Sequence, residues 1–338
     1  MNILVTGGAG FIGINLIKYL IKKKHKILIV DKITYASNHD ELKILIKNKN
    51  VILKKIDVCD YNKIYKAICD FKPKKIMHLA AESHVDRSIK SSKIFLKTNI
   101  IGTYTMLFAA LNYYNNLPLK NNSSFLFHHI STDEVYGDLS LKDRSFSEEN
   151  KYFPSSPYSA SKASADHFVR AWFRTYGLPV IITNCSNNYG PYQHKEKIIP
   201  LIINNALQGK KVPIYGNGKQ IRDWLHVSDH VRALYDVLFK GVIGSTYNIG
   251  ANNELENIKL VTLICGYLDK KVKDKPKNIK SFSELITFVK DRPGHDVRYA
   301  INSRKIKKEL KWKPKISFKI GLSLTIDWYL DQLCGKKL

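Results

Sequence analysis

The chain has 338 residues, 44% of them hydrophobic, and 55 Lys plus Arg against 29 Asp plus Glu give it a formal net charge of +26. That is enough apolar material for a sizeable core, while the lack of an uncharged apolar run of about 18 residues argues against a transmembrane helix. Five scattered cysteines (Cys59, Cys69, Cys185, Cys265 and Cys334), with no CxxC pair, argue against a disulfide framework or a zinc site.

The start, MNILVTGG, has no basic flank, long apolar segment or cleavage site of a secretory signal, so a cytoplasmic protein is expected. Residues Asn2 to Val5 predict a strand, and TGGAGFIG then leads into the helical stretch FIGINLIKYLIKK. Further strands are predicted at KILIVD (Lys26 to Asp31), VILKKID (Val51 to Asp57), KKIMHLA (Lys74 to Ala80), FLFHHIS and PVIITNC. Helices are predicted at KIYKAICDF, NIIGTYTMLFAALNYY and SPYSASKASADHFVRAWFRTYG, the last closed by Gly177. Near-continuous apolar strands alternating with helices predict an α/β fold: a Rossmann-type, doubly wound parallel sheet. After about residue 186 the pattern loosens into the turns NNYGPYQ, PIYGNGKQIRD, YNIGANNE and DRPGHD, with helical stretches between them. We therefore expect residues 1–186 to form a dinucleotide-binding domain that also carries the reacting groups. Residues 187–338 are expected to be mainly a smaller substrate-binding lobe, with some return of the chain to the sheet.

The charge admits a nucleic-acid or anionic-membrane partner. The lysine runs IKKKHK (Ile21 to Lys26) and KKVKDKPKNIK (Lys270 to Lys280) carry no interleaved aromatics. Solvated lysines with a general attraction for anionic substrates are the favoured reading, with KKVKDKPKNIKSF as the expected mobile loop.

Gly7, Gly10 and Gly13 stand as GxxGxxG between the first strand and the first helix. That spacing permits a tight turn, close approach of a pyrophosphate to backbone N–H groups, and close helix–strand packing. Phe11 and Ile12 belong to the same turn, and the helix N-terminus faces the phosphates. Asp31 ends the second strand, where a carboxylate binds ribose hydroxyls and repels a 2′-phosphate, so NAD is favoured over NADP. Lys32, Ile33 and Thr34 follow it. Asp57 and Val58 after the third strand, and Leu79, Ala80 and Ala81 after the fourth, fall at the adenine and ribose edges of such a cofactor.

Tyr158 and Lys162, four apart at a helix start, lie on one face. An ammonium beside a phenol lowers its pKa, and the phenolate can then take a proton from an alcohol as hydride leaves for nicotinamide. With GxxGxxG upstream, the chain resembles the extended short-chain dehydrogenase/reductase family of sugar-nucleotide enzymes. The stretch STDEVYG places Thr132, Asp133 and Glu134 at the end of a core strand. In that family Thr132 matches the residue that binds the reacting hydroxyl. Adjacent carboxyls in a closed cleft push their apparent pKa values apart, which suits an enzyme that removes a C–H proton and expels a hydroxyl. Further resemblance to the dehydratases of this family runs through HLAAESHVDRS, SPYSASKASADH, TNCSNNYGPYQ, PIYGNGKQIRDWL, YNIG and DRPGHD, over residues 1 to about 330.

The resemblance implies tightly held NAD and dTDP-glucose as substrate, oxidised at C4, dehydrated across C5 and C6 and reduced at C6. It implies Tyr158 with Lys162 and Thr132 for the oxidation, Glu134 as the C5 base and Asp133 as the acid to the 6-hydroxyl. Ser83 and Thr98 are expected to line cofactor and sugar, Asn187 the sugar nucleotide and Asn188 the nicotinamide end. Lys197, Ile198, Pro213, Ile214 and Tyr215 are expected at the nucleotide, and Arg222 and Asn257 at the diphosphate. Asp291, Arg292, Pro293, Gly294 and His295 are expected to close the site. For Arg222 the guanidinium fork also matches phosphate oxygens. His84, Arg87, His128 and His129 fit no metal-ligand spacing, so no metal is expected. A UDP-sugar dehydratase or a 4-epimerase of the same fold remains the alternative, with a basic nucleic-acid-binding protein behind it. A homodimer through IIGTYTMLFAALNYY and KASADHFVRAWFRTYG is implied as well.

Overall fold

The computed structural model describes residues 1–118 and 124–334, with the side chain of Cys334 outside the described set. The strands β1 (Asn2–Thr6), β2 (Lys26–Asp31), β3 (Val51–Lys55), β4 (Lys75–His78), β5 (Leu126–Thr132) and β6 (Val180–Cys185) are apolar and almost wholly buried, except for β3 at the sheet edge. Strands buried on both faces need helices on both faces, so they pair in parallel. With β10 (Thr246–Ile249) at one edge, the seven-stranded sheet runs β10-β6-β5-β4-β1-β2-β3. Its register sets Val5 opposite Ile29 on one side and Met77 on the other. The strand order reverses at β1 and β4, which opens a crevice at the carboxyl ends of these strands.

Helices Phe11–Lys22 and Val227–Lys240 cover one face, with Ile14, Leu16, Val231 and Leu234 in its core. Helices Tyr61–Phe71, Gly102–Asn115 and Pro157–Tyr176 cover the other, with Ile64, Met106 and Trp172. A third core, with Ile199, Trp224, Ile264 and Phe282, belongs to a smaller lobe. That lobe contains β7 (Asn187–Tyr189), β8 (Val212–Tyr215), β9 (Ile221–His226), β11 (Glu254–Glu256) and β12 (Ile286–Val289), arranged as β11-β9-β7 and β12-β8.

Several sequence expectations change here. YNIG, read as a turn, is most of β10 (Thr246–Ile249), which pairs with Ile182–Cys185 and extends the main sheet. Four residues beside a glycine are too short to show a strand period. The helix Val227–Lys240, downstream of residue 186, likewise packs on the main sheet. The lysine-rich segment after Lys270 ends at an anchor: Asp269 accepts hydrogen bonds from Ser281 Oγ (2.7 Å) and the Phe282 N–H (3.1 Å), and Phe282 is fully buried. Lys93–Asn115 is long and apolar enough to cross a membrane by composition alone, yet 61% of its apolar window is buried inside the protein. Asn15 ties the first helix to the loop after β7 through the Pro191 carbonyl (3.1 Å).

The glycine turn decides how closely the first helix can approach β1. A Cβ on Gly13 would stand 2.2 Å from the Gly7 carbonyl oxygen, whereas one on Gly10 would stand 3.4 Å from it. Gly13→Ala is therefore expected to cost about 1–3 kcal/mol by overpacking and Gly10→Ala much less. Paired thermal melts of the two variants check this ordering.

Candidate active site

The cleft opens at the carboxyl ends of β1, β2, β4, β5 and β6. The helix beginning at Phe11 has Gly10 as its N-cap, with no side-chain cap and no acidic residue in its first turn, so its leading N–H groups remain available to an anion. Gly7 takes a left-handed φ of 69°, and a Cβ there would stand 2.7 Å from the Ala80 nitrogen. Asp31 accepts from the Ala9 N–H (3.0 Å) and the Ile33 N–H (2.8 Å), so the carboxylate that faces the cleft also fixes the glycine turn. The latter bond bends Ile33, a β-branched residue, into the left-handed region at φ 58°. Lys32 lies in the same wall but is paired to Glu82 (3.2 Å) and hydrogen-bonded to Thr98 (3.2 Å), so it offers no free cation for a 2′-phosphate. Side-chain oxygens of Asn187 and Asn188 are buried against the cleft without a partner. A glycine cradle with free N–H groups, a ribose-facing carboxylate and unpartnered amides fits a dinucleotide such as NAD.

The stretch that follows β5 explains how two carboxyls end up in this cleft. Thr132 caps a single 3₁₀ turn, Asp133–Tyr136, by accepting from the Glu134 N–H (3.3 Å). Gly137 ends the turn at φ 95°, where a Cβ would stand 2.2 Å from the Phe153 carbonyl oxygen. The Tyr136 hydroxyl anchors the turn to Asn248 Oδ1 at 2.9 Å. Asp133 is only 3% exposed, and its Oδ2 has no partner. Its other oxygen accepts from Thr132 Oγ1 at 3.3 Å.

Burial pushes the Asp133 carboxyl well above the carboxylate range, and the neighbouring Glu134 and Asp223 push it the same way. Burial raises Glu134 as well, but Lys197, Arg222 and Arg292 oppose that rise. Both carboxyls are thus raised, Asp133 further than Glu134, so of the two Asp133 keeps its proton to the higher pH.

Tyr158 and Lys162 enter from the helix Pro157–Tyr176, whose start is set by a Ser156–Ser159 capping box and Pro157 at its first position. The expected lowering of the Tyr158 pKa by Lys162 is not what this cleft does. Burial, then the neighbouring Glu134, hold the phenol well above its ordinary value, and a hydrogen bond with Thr132 opposes them. The Lys162 ammonium instead donates to the Ile130 carbonyl at 2.9 Å.

All five residues expected to react line one cleft. With them are Gly7, Gly10, Phe11, Ile12, Gly13, Asp31, Lys32 and Thr34 on the cofactor side, then Val58, Leu79, Ala80, Ala81, Ser83, Thr98 and Asn188, and also Asn187, Lys197 and Ile198. Ile33 and Asp57 stand behind the wall, the latter accepting from the Cys59 N–H at 2.9 Å. Pro213 and Asn257 lie outside the lining, and Ile214 is packed into the lobe core. Arg222 is also outside: its guanidinium donates to the carbonyls of Ile221 (2.7 Å) and Asp296 (2.9 Å) and stacks on Tyr299. The fork chemistry that suggested a phosphate ligand is engaged by backbone oxygens in this structure.

Tyr215, Arg292 and the Asp291–His295 pair form a separate rim. Asp86 accepts from Arg292 Nη1 (3.0 Å) and the Tyr215 hydroxyl (3.3 Å), and Asp291 contacts His295 Nδ1 at 2.6 Å. Pro293 and Gly294 lie in the loop between them. The sequence reading missed Tyr35, Ser37, Glu82, Ser131, Gln193, His194 and Trp224, which also line the cleft. Of these, Glu82, Ser131, Gln193 and Trp224 sit within stretches that carried a signal, and Tyr35, Ser37 and His194 do not. Cys59, Cys69, Cys185 and Cys265 are free thiols, and no cluster of His, Cys, Asp or Glu able to hold a metal occurs among the described residues.

Residues 4–325 match the family model described as GDP-mannose 4,6 dehydratase. The chain is 56% identical over 331 residues to the dTDP-glucose 4,6-dehydratase of Haemophilus influenzae, covering 98% of each chain. A solved dTDP-glucose 4,6-dehydratase from Streptomyces venezuelae with NAD and TYD bound superposes with a TM-score of 0.89 at 38% identity, covering 99% of this chain and 98% of that one. One from Bacillus anthracis in complex with NAD gives 0.85 at 43% identity, covering 97% and 96%.

A carboxyl held neutral by burial costs folding energy whenever it must ionise. The folded-state pKa of Asp133 is raised, so this cost is absent below the unfolded value, near 3.9, and grows as pH rises from there toward the folded pKa. Asp133→Asn is therefore expected to melt at a higher temperature than the parent at neutral and alkaline pH, with the gap closing in acid. Melting curves across pH read this directly.

Proposed function

The chain belongs to the GDP-mannose 4,6 dehydratase family of nucleotide-sugar enzymes, and from that premise we propose that it converts dTDP-glucose to dTDP-4-dehydro-6-deoxy-glucose with NAD held in the glycine cradle. The observation that carries the reading is the unequal pair Asp133 and Glu134, which opens onto the same cleft as Tyr158, Lys162 and Thr132. A 4-epimerase of the same fold would have no task for that pair.

NAD, when bound, supplies a hydride acceptor for C4, a hydride donor for C6 and, in its oxidised form, a positive charge that opposes the rise in the Tyr158 phenol. The chain's own side chains do the rest. Thr132 holds the 4-oxygen while Tyr158 takes its proton, and a ketone forms at C4. The ketone acidifies the hydrogen on C5, which Glu134 removes as a proton. Asp133 gives its proton to the departing 6-oxygen, and water leaves. Glu134 then returns a proton to C5. The acid must be neutral and the base ionised at the same moment, and the larger rise at Asp133 than at Glu134 supplies that difference.

Lys197 and Arg292 act on Glu134 and suit an anionic diphosphate at the mouth. Residues 1–186 supply the cofactor cradle and the reacting groups, and residues 187–338 supply mainly the sugar-nucleotide side. The enzyme works in the cytoplasm as a homodimer. Tyr104 and Phe108, stacked together, and Phe168 form an exposed apolar face across the two long helices, and a second copy of the same face would cover it.

A product assay with dTDP-glucose and no added NADH is expected to yield the 4-keto sugar, seen by its absorbance in alkali. Turnover of UDP-glucose in its place would shift the substrate assignment. Glu134→Gln is expected to keep NAD bound, to lose C5 exchange with solvent and to slow turnover by about 10²–10⁴-fold. Normal turnover in that variant would remove Glu134 from the elimination. Light scattering is expected to give twice the chain mass for the parent and a single chain mass for a Tyr104→Glu/Phe108→Glu variant.

A further inference from the structure

The helix Pro157–Tyr176 carries Tyr158, Lys162, Asp166 and Arg170 at successive four-residue steps. A phenol, an ammonium, a carboxylate and a guanidinium thus share one face, and it is turned toward β5 and β6. The first two belong to the proposed chemistry. Asp166 does not reach the cleft, and neither does His129 on β5; both are fully buried.

Their contacts converge on Lys162. His129 Nε2 lies 3.4 Å from Lys162 Nζ and 3.2 Å from Asp166 Oδ1. The other oxygen of Asp166 accepts from Ser131 Oγ (2.9 Å) and the Tyr152 hydroxyl (3.0 Å). Arg170 Nη2 donates in turn to the Tyr152 oxygen at 2.6 Å. His129 Nδ1 is buried with no partner, and so is Asp166 Oδ1. Bare, His129 Nε2 accepts from the Lys162 ammonium, with the Asp166 oxygen as its close polar neighbour. Taking an ammonium out of water favours the neutral amine, and burial pushes Lys162 in that direction. An ammonium kept in such a place needs an anion close by.

The groups that face Lys162 can be named strand by strand. β4 brings His78, β5 brings His129 and the Ile130 carbonyl, and β6 brings Cys185. Its own helix brings Tyr158 and Asp166, with Arg170 one turn further. Burial pushes both imidazoles down, His129 to about 4, and pushes the Cys185 thiol up, so these three stay neutral near pH 7. Burial also pushes Asp166 up, but His129, Lys162 and Arg170 outweigh it and hold the carboxyl below the ordinary range, hence ionised. Among these neighbours Asp166 alone carries negative charge.

We infer that Asp166 is the buried counter-charge of Lys162 and that His129 is the spacer between them. The two are positioning residues that keep the ammonium charged and fixed on the Ile130 carbonyl beside Tyr158. This rests on the reading of Tyr158 and Lys162 as the pair that serves hydride transfer.

The test follows the appearance of reduced nicotinamide in a single turnover when the holoenzyme meets dTDP-glucose, as a function of pH. With Asp166→Asn, Lys162 is expected to lose its proton more readily, so the alkaline limb moves to lower pH. The expected loss is about tenfold or more at the alkaline end and less than about threefold near neutrality, since tenfold corresponds to one pKa unit. His129→Gln is expected to move the limb in the same direction and serves if the Asp166 variant does not fold. Tyr152→Phe removes a hydrogen bond to Asp166 without touching Lys162, and is expected to lower the melting temperature and leave the limb in place. A loss in Asp166→Asn and His129→Gln that is equal at every pH would assign them a structural role only and overturn the inference. Nitrogen NMR of the Lys162 amine in the NAD-loaded protein reads the same shift without turnover. An inert parent enzyme would thus count against the dTDP-glucose reading while the NMR titration still decides this one.

Discussion

Desolvation at the carboxyl end of β5 is the constraint on which the rest depends. Asp133 sits where water hardly reaches, with one oxygen unpartnered and another carboxyl next to it in the chain. An ionised group there is costly, so the proton stays. Glu134, one residue on, is raised by burial too, but Lys197, Arg222 and Arg292 oppose that rise. Two side chains of nearly the same chemistry are thus raised to different degrees, Asp133 further than Glu134, because a single 3₁₀ turn sets them in different surroundings. Thr132, Gly137 and the Tyr136–Asn248 bond hold that turn, and each is explained by holding it.

The same logic runs through the rest of the cleft. Asp31 fixes the glycine turn while its carboxyl lines the cleft, and the Lys32–Glu82 pair neutralises the nearest cation. The large positive charge of the chain is spread over lysines on the surface, and only a few cations act on Glu134. Buried charge is handled locally, by pairing, and this is why the polar layer beneath Tyr158 contains Lys162, Asp166 and Arg170 rather than a single isolated ammonium.

Much of this was legible in the sequence because local backbone rules write it there. The glycine spacing, the YxxxK step and the acid pair after an apolar run are short-range patterns, and the cleft brings all of them together. The parallel sheet was legible from its long apolar strands. Where the reading missed, a partner distant in sequence decides the outcome. β10 is four residues long and exists because β6 offers an edge. Arg222 reads in the sequence as a phosphate ligand, and the structure adds a contact that no local pattern shows, from its guanidinium to the carbonyl of Asp296, 74 residues away. The Tyr158–Lys162 step was correctly spaced, yet the ammonium's partner is a carbonyl on β5, 32 residues upstream. Asp166 was visible in the same helical stretch, but a carboxylate at that step carries no meaning until His129 is known to lie between it and Lys162.

The most direct measurement is the titration of the two side-chain carboxyl carbons by carbon NMR in the NAD-loaded protein, with Asp133→Asn and Glu134→Gln proteins used to identify the signals. Asp133 is expected to keep its proton to a higher pH than Glu134, with a range near neutrality in which one is neutral and the other charged. An Asp133 that ionises at the ordinary carboxylate value, together with or below Glu134, would contradict the division of labour on which the dehydration is built.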